Sequence, residues 1–293
     1  MKLRFILNAR SGHIRRDPAL AGRLRAFIAR RELDAIVVFT ETPCHATELA
    51  RAALAEGCTV VVAVGGDGTV NEVAQALVGT PASLGLVPLG SGNGLARDLG
   101  VPLRTTDALE VLLHGQPRMI DVGYANDRPF FCAMGAGFDA DLVERFNQCT
   151  RRGLATYLRL GALLWWRQRP ERFVVHAGDT RLELTALLVA VANAAQFGNN
   201  ARIAPGARVV DGLLDLVAVP PATLCNALPL AWRLFTGTLD RHPQVRRLRG
   251  PNFTIERAQP GLFHTDGESG PPVMRIEVAV RPSALRVLVP AAP

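Results

Sequence analysis

The chain has 293 residues, 48% hydrophobic and 20% charged, with a formal charge of +7 and a pI near 9.9. That length exceeds one ordinary core and predicts two domains, and the balance of apolar and charged residues excludes a disordered or low-complexity chain. No apolar run reaches the about 20 residues that a helix needs to span a bilayer, and the strand-like N-terminus is unlike a secretory leader, so neither is expected.

The first half alternates strand and helix. Leu3–Leu7 is a short apolar strand ending in the turn-rich Asn8–Gly12. Leu20, Leu24, Phe27 and Ile28 share a face and predict a helix over Pro18–Arg31. A strand at Ala35–Phe39, a helix at Thr47–Ala55, and a strand at Thr59–Val64 follow. The last is apolar at every residue after its first, as in parallel strands buried on both faces. Asn71–Leu77 predicts a helix, Leu84–Val87 a strand and Gly94–Leu99 a short helix. This βαβ spacing predicts a parallel-sheet α/β domain over residues 1–121. Strand-like runs then dominate: Phe130–Met134, Phe173–His176, Arg181–Asn193, Leu213–Val219, Asn252–Glu256, Met274–Val280 and Ala284–Val289. Helical stretches interrupt them near Asp139–Leu164 and Thr223–Phe235. They predict a second, β-rich, sandwich-like domain over residues 122–293, whose last strand is free to return to the first domain.

Several residue types narrow the chemistry. Of the 33 basic residues only Lys2 is a lysine. Codon bias in a GC-rich genome accounts for the skew, but it also excludes a P-loop lysine, a protein-kinase strand lysine and a Schiff-base lysine beyond the first strand. Phosphate, if bound, falls to backbone amides, arginine and a metal. The five cysteines, Cys44, Cys58, Cys132, Cys149 and Cys225, form no CxxC pair and read as reduced thiols of a cytoplasmic protein. The six histidines form no HExxH pattern, so no zinc site is expected. The basic surface suits anions, but no recognition motif or aromatic interleaving points to nucleic acid.

Three turns carry the chemistry. Gly65-Gly66-Asp67-Gly68-Thr69 joins the buried strand to a helix. Its glycines permit a sharp turn and close ligand approach, the helix N-terminus suits a phosphate, and Asp67 suits Mg²⁺. Gly90-Ser91-Gly92-Asn93 repeats the strand–turn–helix arrangement, and Asn8–Gly12 lies at the same carboxyl edge of the sheet. Each turn alone is weak evidence, and a capped βα turn would explain any one of them. A further element, His264-Thr265-Asp266-Gly267-Glu268, reads by itself as a hairpin turn. Beside a nucleotide site it also offers the carboxylate that transfer to a hydroxyl requires.

Taken in order, these motifs resemble the diacylglycerol kinase catalytic superfamily, which includes bacterial lipid kinases and sphingosine kinases. Asn8–Gly12 is similar to its Asn-Pro-x-Ser-Gly opening, and Thr40 with His45-Ala46 to its Thr…His-Ala segment. Gly65–Glu72 matches Gly-Gly-Asp-Gly-Thr-x-Asn-Glu, and Leu89–Arg97 resembles Leu-Gly-Thr-Gly-Asn-Asp-Phe-Ala-Arg. Ile120-Asp121 with Gly123, the Phe197–Leu216 block and Asp266-Gly267-Glu268 complete the series.

The resemblance implies ATP and Mg²⁺ as cofactors and transfer of phosphate to a lipid hydroxyl, with diacylglycerol the first acceptor. It implies a nucleotide site of Asn8, Ser11, Gly12, Gly65, Gly66, Gly68, Thr69, Gly90, Ser91, Gly92 and Asn93. Asp67 and Asp121 are implied around the metal, with Asp211 and Asp215 near a structural metal or a phosphate-lid region. Asp266 would be the general base and Glu268 its neighbour near nucleotide or metal, while Arg15 and Arg16 would supply phosphate charge or form a solvated loop. Gly94 stands where the family carries Asp. Asp98 or Asp121 compensates, the metal binds differently, or activity is lost; because Asp67, Asp121 and Asp266 remain, the chain reads as an active enzyme. An NAD-kinase-type enzyme with a soluble acceptor and an inactive nucleotide- or membrane-binding pseudokinase remain as alternatives.

The expected partner is a lipid substrate at a membrane surface, with the protein cytoplasmic and peripheral to the inner face; the sequence leaves a homodimer open. Trp165 and Trp166 beside Arg167 and Arg169, and Trp232 beside Arg233, suit a membrane interface. Packing into the core is the commoner fate of such stripes.

Overall fold

The computed structural model describes residues 1–8, 17, 19–149, 154–165, 169–221, 223 and 226–291. Two compact units make up the chain: Met1–Ile120 with Ser283–Pro293, and Asp121–Pro282.

The first unit runs β1 (Lys2–Asn8), α1 (Leu20–Arg30), β2 (Asp34–Thr40), α2 (His45–Ala55), β3 (Val60–Gly65), α3 (Asp67–Leu77), β4 (Ser83–Pro88), α4 (Gly94–Asp98) and α5 (Thr105–His114). Its strands are parallel in the order β2-β1-β3-β4, followed by Arg286 and Val287 near the end of the chain. Every residue of β3 and β4 is buried. Leu20, Leu24 and Phe27 of α1 join Phe5, Val62 and Leu288 in one core. Ala46, Ala50 and Ala53 of α2 are also buried, and their small side chains let that helix lie close. The strand order reverses between β1 and β3. In open parallel sheets, ligands bind at the carboxyl ends of the strands at such a switch point.

The second unit carries β5 (Gln116–Ala125, entering from the first unit), β6 (Arg128–Phe130), β7 (Ala133–Gly137), α6 (Phe138–Asn147), α7 (Leu154–Trp165), β8 (Glu171–Ala177), β9 (Thr180–Ala186) and β10 (Leu188–Ala192). It continues through β11 (Leu214–Val219), α8 (Ala227–Thr236), β12 (Arg246–Gly250), β13 (Asn252–Gly261), β14 (Phe263–Thr265), β15 (Glu268–Ser269) and β16 (Val273–Val289). A six-stranded antiparallel sheet has the order β12-β11-β10-β7-β14-β15, and β13 pairs antiparallel with both β8 and β16. Met134, Val189, Val191, Leu214 and Phe263 from the first group pack against Phe173, Val175, Phe253, Ile255 and Ile276 from the second. The fold is thus a mixed α/β domain followed by an all-antiparallel, sandwich-like β domain, the class that the sequence predicts.

Several local expectations change, among them Phe130–Met134, which is divided between the end of β6 and the start of β7. Arg181–Asn193 is two strands rather than one, because the chain switches sheets at Leu187. There Leu187 N–H donates to Val219 O at 2.9 Å, and its carbonyl accepts from Phe138 N–H at 3.0 Å. The Asp139–Leu164 stretch is two helices, the first ending at Asn147, whose side chain donates to Gly267 O at 2.9 Å. The two last predicted strands are one, β16, and its residues from Ser283 onward belong to the first unit.

Phe130 on β6 is fully buried, and its ring covers Gly123 on the paired strand β5. A Cβ built at Gly123 would lie 2.2 Å from the ring edge. Gly123→Ala is therefore expected to lower stability by about 1–3 kcal/mol, the cost of overpacking, measured as a shift of the urea midpoint. An unchanged midpoint would mean the ring moves aside freely.

Candidate active site

The turns after β3 and β4 are fastened to each other by one side chain. Asp67, the first residue of α3, accepts Asn93 N–H on Oδ2 at 2.9 Å and Gly94 N–H on Oδ1 at 2.7 Å. Leu89 N–H donates to Gly65 O at 2.7 Å. The two turns then approach so closely that a Cβ at Gly90 would lie 2.7 Å from Gly66 Cα, and one at Gly92 would lie 2.6 Å from Asp67 Oδ2. Glycine at these positions is a packing requirement of the paired turns.

The second turn also braces itself. Asn93 has φ +51°, and its side chain accepts Gly90 N–H and donates to Gly90 O, each at 2.8 Å. Arg97 Nε donates to Gly92 O at 3.0 Å. From the end of β1, Asn8 Nδ2 donates to Thr69 Oγ1 at 3.3 Å, tying the carboxyl end of that strand to α3. Gly66, Asp67 and Gly68 are half-buried and Ser91 is exposed. α3 opens at Asp67, four residues before the predicted start, so its unpaired first-turn amides and positive dipole end lie within the glycine turn. This cradle of backbone amides and absent Cβ atoms fits a polyphosphate. Burial pushes the Asp67 carboxyl up, and the Gly94 and Asn93 amides pull it down without cancelling the rise. Ser11, Gly12, Arg15 and Arg16 lie outside the described residues.

Glu72, at the end of the Gly65–Glu72 signature, does a different task. It accepts Cys44 N–H at 3.3 Å and Ala46 N–H at 3.0 Å, capping the N-terminus of α2. His45 in the same segment accepts Glu41 N–H at 3.0 Å. The distant Thr…His-Ala segment and the glycine signature are therefore one packed unit.

In the second unit, Asp266 (φ +49°) and Gly267 (φ +86°) form the two-residue turn between β14 and β15, the left-handed pair that a tight hairpin needs. The Asp266 carboxylate reaches back across the sheet. Oδ2 accepts Phe131 N–H at 2.7 Å, and Oδ1 accepts Cys132 N–H at 2.9 Å and Ala133 N–H at 3.0 Å. Asp266 N–H in turn donates to Ala133 O at 2.9 Å. Glu268 follows on β15 and is exposed.

Sequence reasoning missed the residues behind this turn. His264 is buried and accepts Gly267 N–H on Nδ1 at 3.4 Å, which leaves Nε2 to donate to Asp139 Oδ2 at 3.2 Å. Asn193, fully buried, donates to both Asp121 O and Phe131 O, at 2.9 and 3.0 Å. An imidazole that precedes an Asp-Gly turn was the available signal for His264; nothing local marked Asn193.

The remaining acidic residues divide. Asp121 is buried and accepts Gly212 N–H at 2.7 Å. Asp215 pairs with Arg247 at 2.8 Å and faces Arg249 at 3.7 Å, and Asp211 pairs with Arg249. Cross-strand register sets these pairs, with Asp215 opposite Arg249. Among the described residues no three His, Cys, Asp or Glu side chains converge as a metal cage. Mg²⁺ commonly needs only one or two carboxylates with substrate phosphates, and Asp67 beside the phosphate cradle fits that pattern.

Residues 2–125 match the diacylglycerol kinase catalytic domain, and residues 132–289 match the YegS C-terminal NAD kinase beta sandwich-like domain. The chain belongs to the diacylglycerol kinase and YegS-like lipid kinase family. It is 34% identical to the "Probable lipid kinase YegS-like" of Chromohalobacter salexigens, over 73% of this chain and 70% of that protein. It is 29% identical to a diacylglycerol kinase of Mycobacterium tuberculosis over 99% of this chain and 95% of that one. An uncharacterized Synechocystis protein is 31% identical over 80% of the chain, which spans 56% of that protein's length. The fold matches that of a Bacillus anthracis diacylglycerol kinase crystal structure with a TM-score of 0.75 at 21% identity, covering 98% of this chain and 96% of the other. ATP use follows from the family.

If Asp67 fastens the lipid-kinase turns together, Asp67→Asn should lower affinity for a non-hydrolysable ATP analogue about tenfold or more in EDTA as well as in Mg²⁺, measured by calorimetry. The amide loses a charge-assisted acceptor and presents a donor to an N–H. A loss seen only with Mg²⁺ would restrict Asp67 to the metal.

Proposed function

We propose that this protein is an ATP-dependent lipid kinase that transfers the γ-phosphate to a lipid hydroxyl, with diacylglycerol the first acceptor. The observation that carries this reading is the Asp67 fastening, which turns two glycine loops at one sheet edge into a single amide-lined cradle.

Gly65, Gly66, Gly68, Thr69, Gly90, Ser91 and Gly92, with Asn8 and the Ser11-Gly12 segment, would hold the triphosphate through backbone amides and hydroxyls. Asn93 would act by shaping the turn, since both ends of its amide bond Gly90. Mg²⁺ held through Asp67 would neutralise charge on the phosphates. Asp121 would support the acidic side of the site through the Gly212 turn, and Asp211 and Asp215 would hold the β12 arginines.

Asp266 would orient the acceptor hydroxyl and take its proton as the oxygen attacks the γ-phosphorus and the bond to ADP breaks. The three amides on its carboxylate fix it in place, His264 steadies the turn that carries it, and Glu268 would serve the nucleotide or the metal. Little covalent work falls to the protein, so positioning and charge stabilisation supply most of the rate.

The second domain's match to an NAD kinase beta sandwich-like domain makes NAD⁺ a second acceptor to examine. Radiolabelled ATP over mixed micelles of diacylglycerol, monoacylglycerol, sphingoid base, ceramide, phosphatidylglycerol and polyprenol, with NAD⁺ and sugar phosphates in parallel, separates the readings. Label in a lipid is expected. Label in NAD⁺ or a sugar phosphate would replace the lipid reading, and nucleotide binding without turnover would make the chain a pseudokinase. Asp266→Asn should lower kcat by about a thousandfold, within the range for a general base, and leave the ATP dissociation constant within about twofold. Unchanged turnover would remove Asp266 as the base.

A further inference from the structure

One helix face is built against the usual pattern. α8 reads Ala-Leu-Pro-Leu-Ala-Trp-Arg-Leu-Phe-Thr from Ala227 to Thr236. Its inner side is conventional: Leu230 is buried, and Leu234 packs with it against Ala190, Val217 and Val219 of the sheet. A helix lying on a core normally turns polar residues to water. Here Leu228, Trp232 and Phe235, spaced i, i+4 and i+7, are 79%, 71% and 41% exposed. Pro229 and Ala231 beside them are exposed too. The one charge in the helix is Arg233, and the helix has no acid.

The rim of this face is cationic. Leu228, Pro229, Trp232, Arg233, Thr238 and Arg241 line a shallow groove of about 680 Å³. Exposed Arg202 lies beside Gly237 at the end of the helix and donates its N–H to Leu234 O at 2.9 Å. Asp240, the acid of the adjoining segment, faces Arg247 at 3.6 Å. Arginines around an apolar stripe centred on tryptophan match the layered chemistry of an anionic bilayer, charged at the surface and apolar beneath. A second copy of the chain would bring the same arginines face to face, which disfavours self-association here.

We propose that the outer face of α8 docks on the surface of an anionic phospholipid bilayer, with Leu228, Trp232 and Phe235 entering the interface and Arg202, Arg233 and Arg241 meeting the head groups. The inference rests on this face alone and does not depend on which acceptor the kinase uses.

The test is co-sedimentation of the full chain with vesicles of phosphatidylcholine, or of phosphatidylcholine with phosphatidylglycerol, without ATP or acceptor. Binding to the anionic vesicles is expected, with a blue shift of tryptophan emission. Trp232→Ala and, independently, Leu228→Glu should each lower the partition coefficient about tenfold or more, the scale of losing one interfacial apolar anchor. Both side chains are largely exposed, so the thermal midpoint should hold, as should turnover on a water-soluble short-chain acceptor. Unchanged vesicle binding by both variants would overturn the proposal. A dimer in gel filtration that Trp232→Ala converts to monomer, with vesicle binding intact, would overturn it by making the face a self-interface.

Discussion

The nucleotide half of the account depends on the bonds from the Asp67 carboxylate to the amides of Asn93 and Gly94. Beside them, Leu89 N–H to Gly65 O and the close approach of Gly66 and Gly90 keep the turn after β4 against the turn after β3. The Asp67 bonds are charge-assisted and sit where burial raises the carboxyl's affinity for a proton. They join two glycine-rich loops, the second already braced by Asn93 and Arg97, in one arrangement. The entropy of ordering glycine is large, so a cradle made of glycines needs such a fastener before it can be ready for phosphate.

The same device recurs in the second unit. Asp121 accepts the amide of Gly212, and Asp266 accepts three consecutive amides from Phe131 to Ala133. Each of these aspartates bonds backbone far from it in sequence. For Asp266 the consequence is positional: its hairpin turn is clamped to β7, and His264, bonded to Asp139, holds the turn from behind. A group that must meet a reacting hydroxyl within a fraction of an ångström gains from a support of this kind.

The glycine turns and the alternation of strand and helix were legible in the sequence, because a buried parallel strand is apolar throughout and a phosphate turn must contain glycine. The start of α3 was misplaced, since its hydrophobic periodicity begins at Val70 while the helix begins inside the Gly-Asp-Gly turn. The partners of the aspartates were not legible. Asp266 meets Phe131–Ala133 only because β14 pairs with β7, and Asp215 meets arginine only because of its register with β12. Trp232 could have faced core or solvent on helical spacing, and the choice was made by Leu230 and Leu234, which occupy the inward face. Trp166 lies outside the described residues, as does the side chain of Trp165.

The central claim is that phosphate moves from ATP to a lipid hydroxyl. ATP labelled with oxygen-18 at the non-bridging γ positions tests it most directly, with mass spectrometry of the extracted lipid. The account predicts a lipid phosphomonoester that carries all the labelled non-bridging oxygens. Label found only in inorganic phosphate, or in a water-soluble phosphate ester, would contradict it.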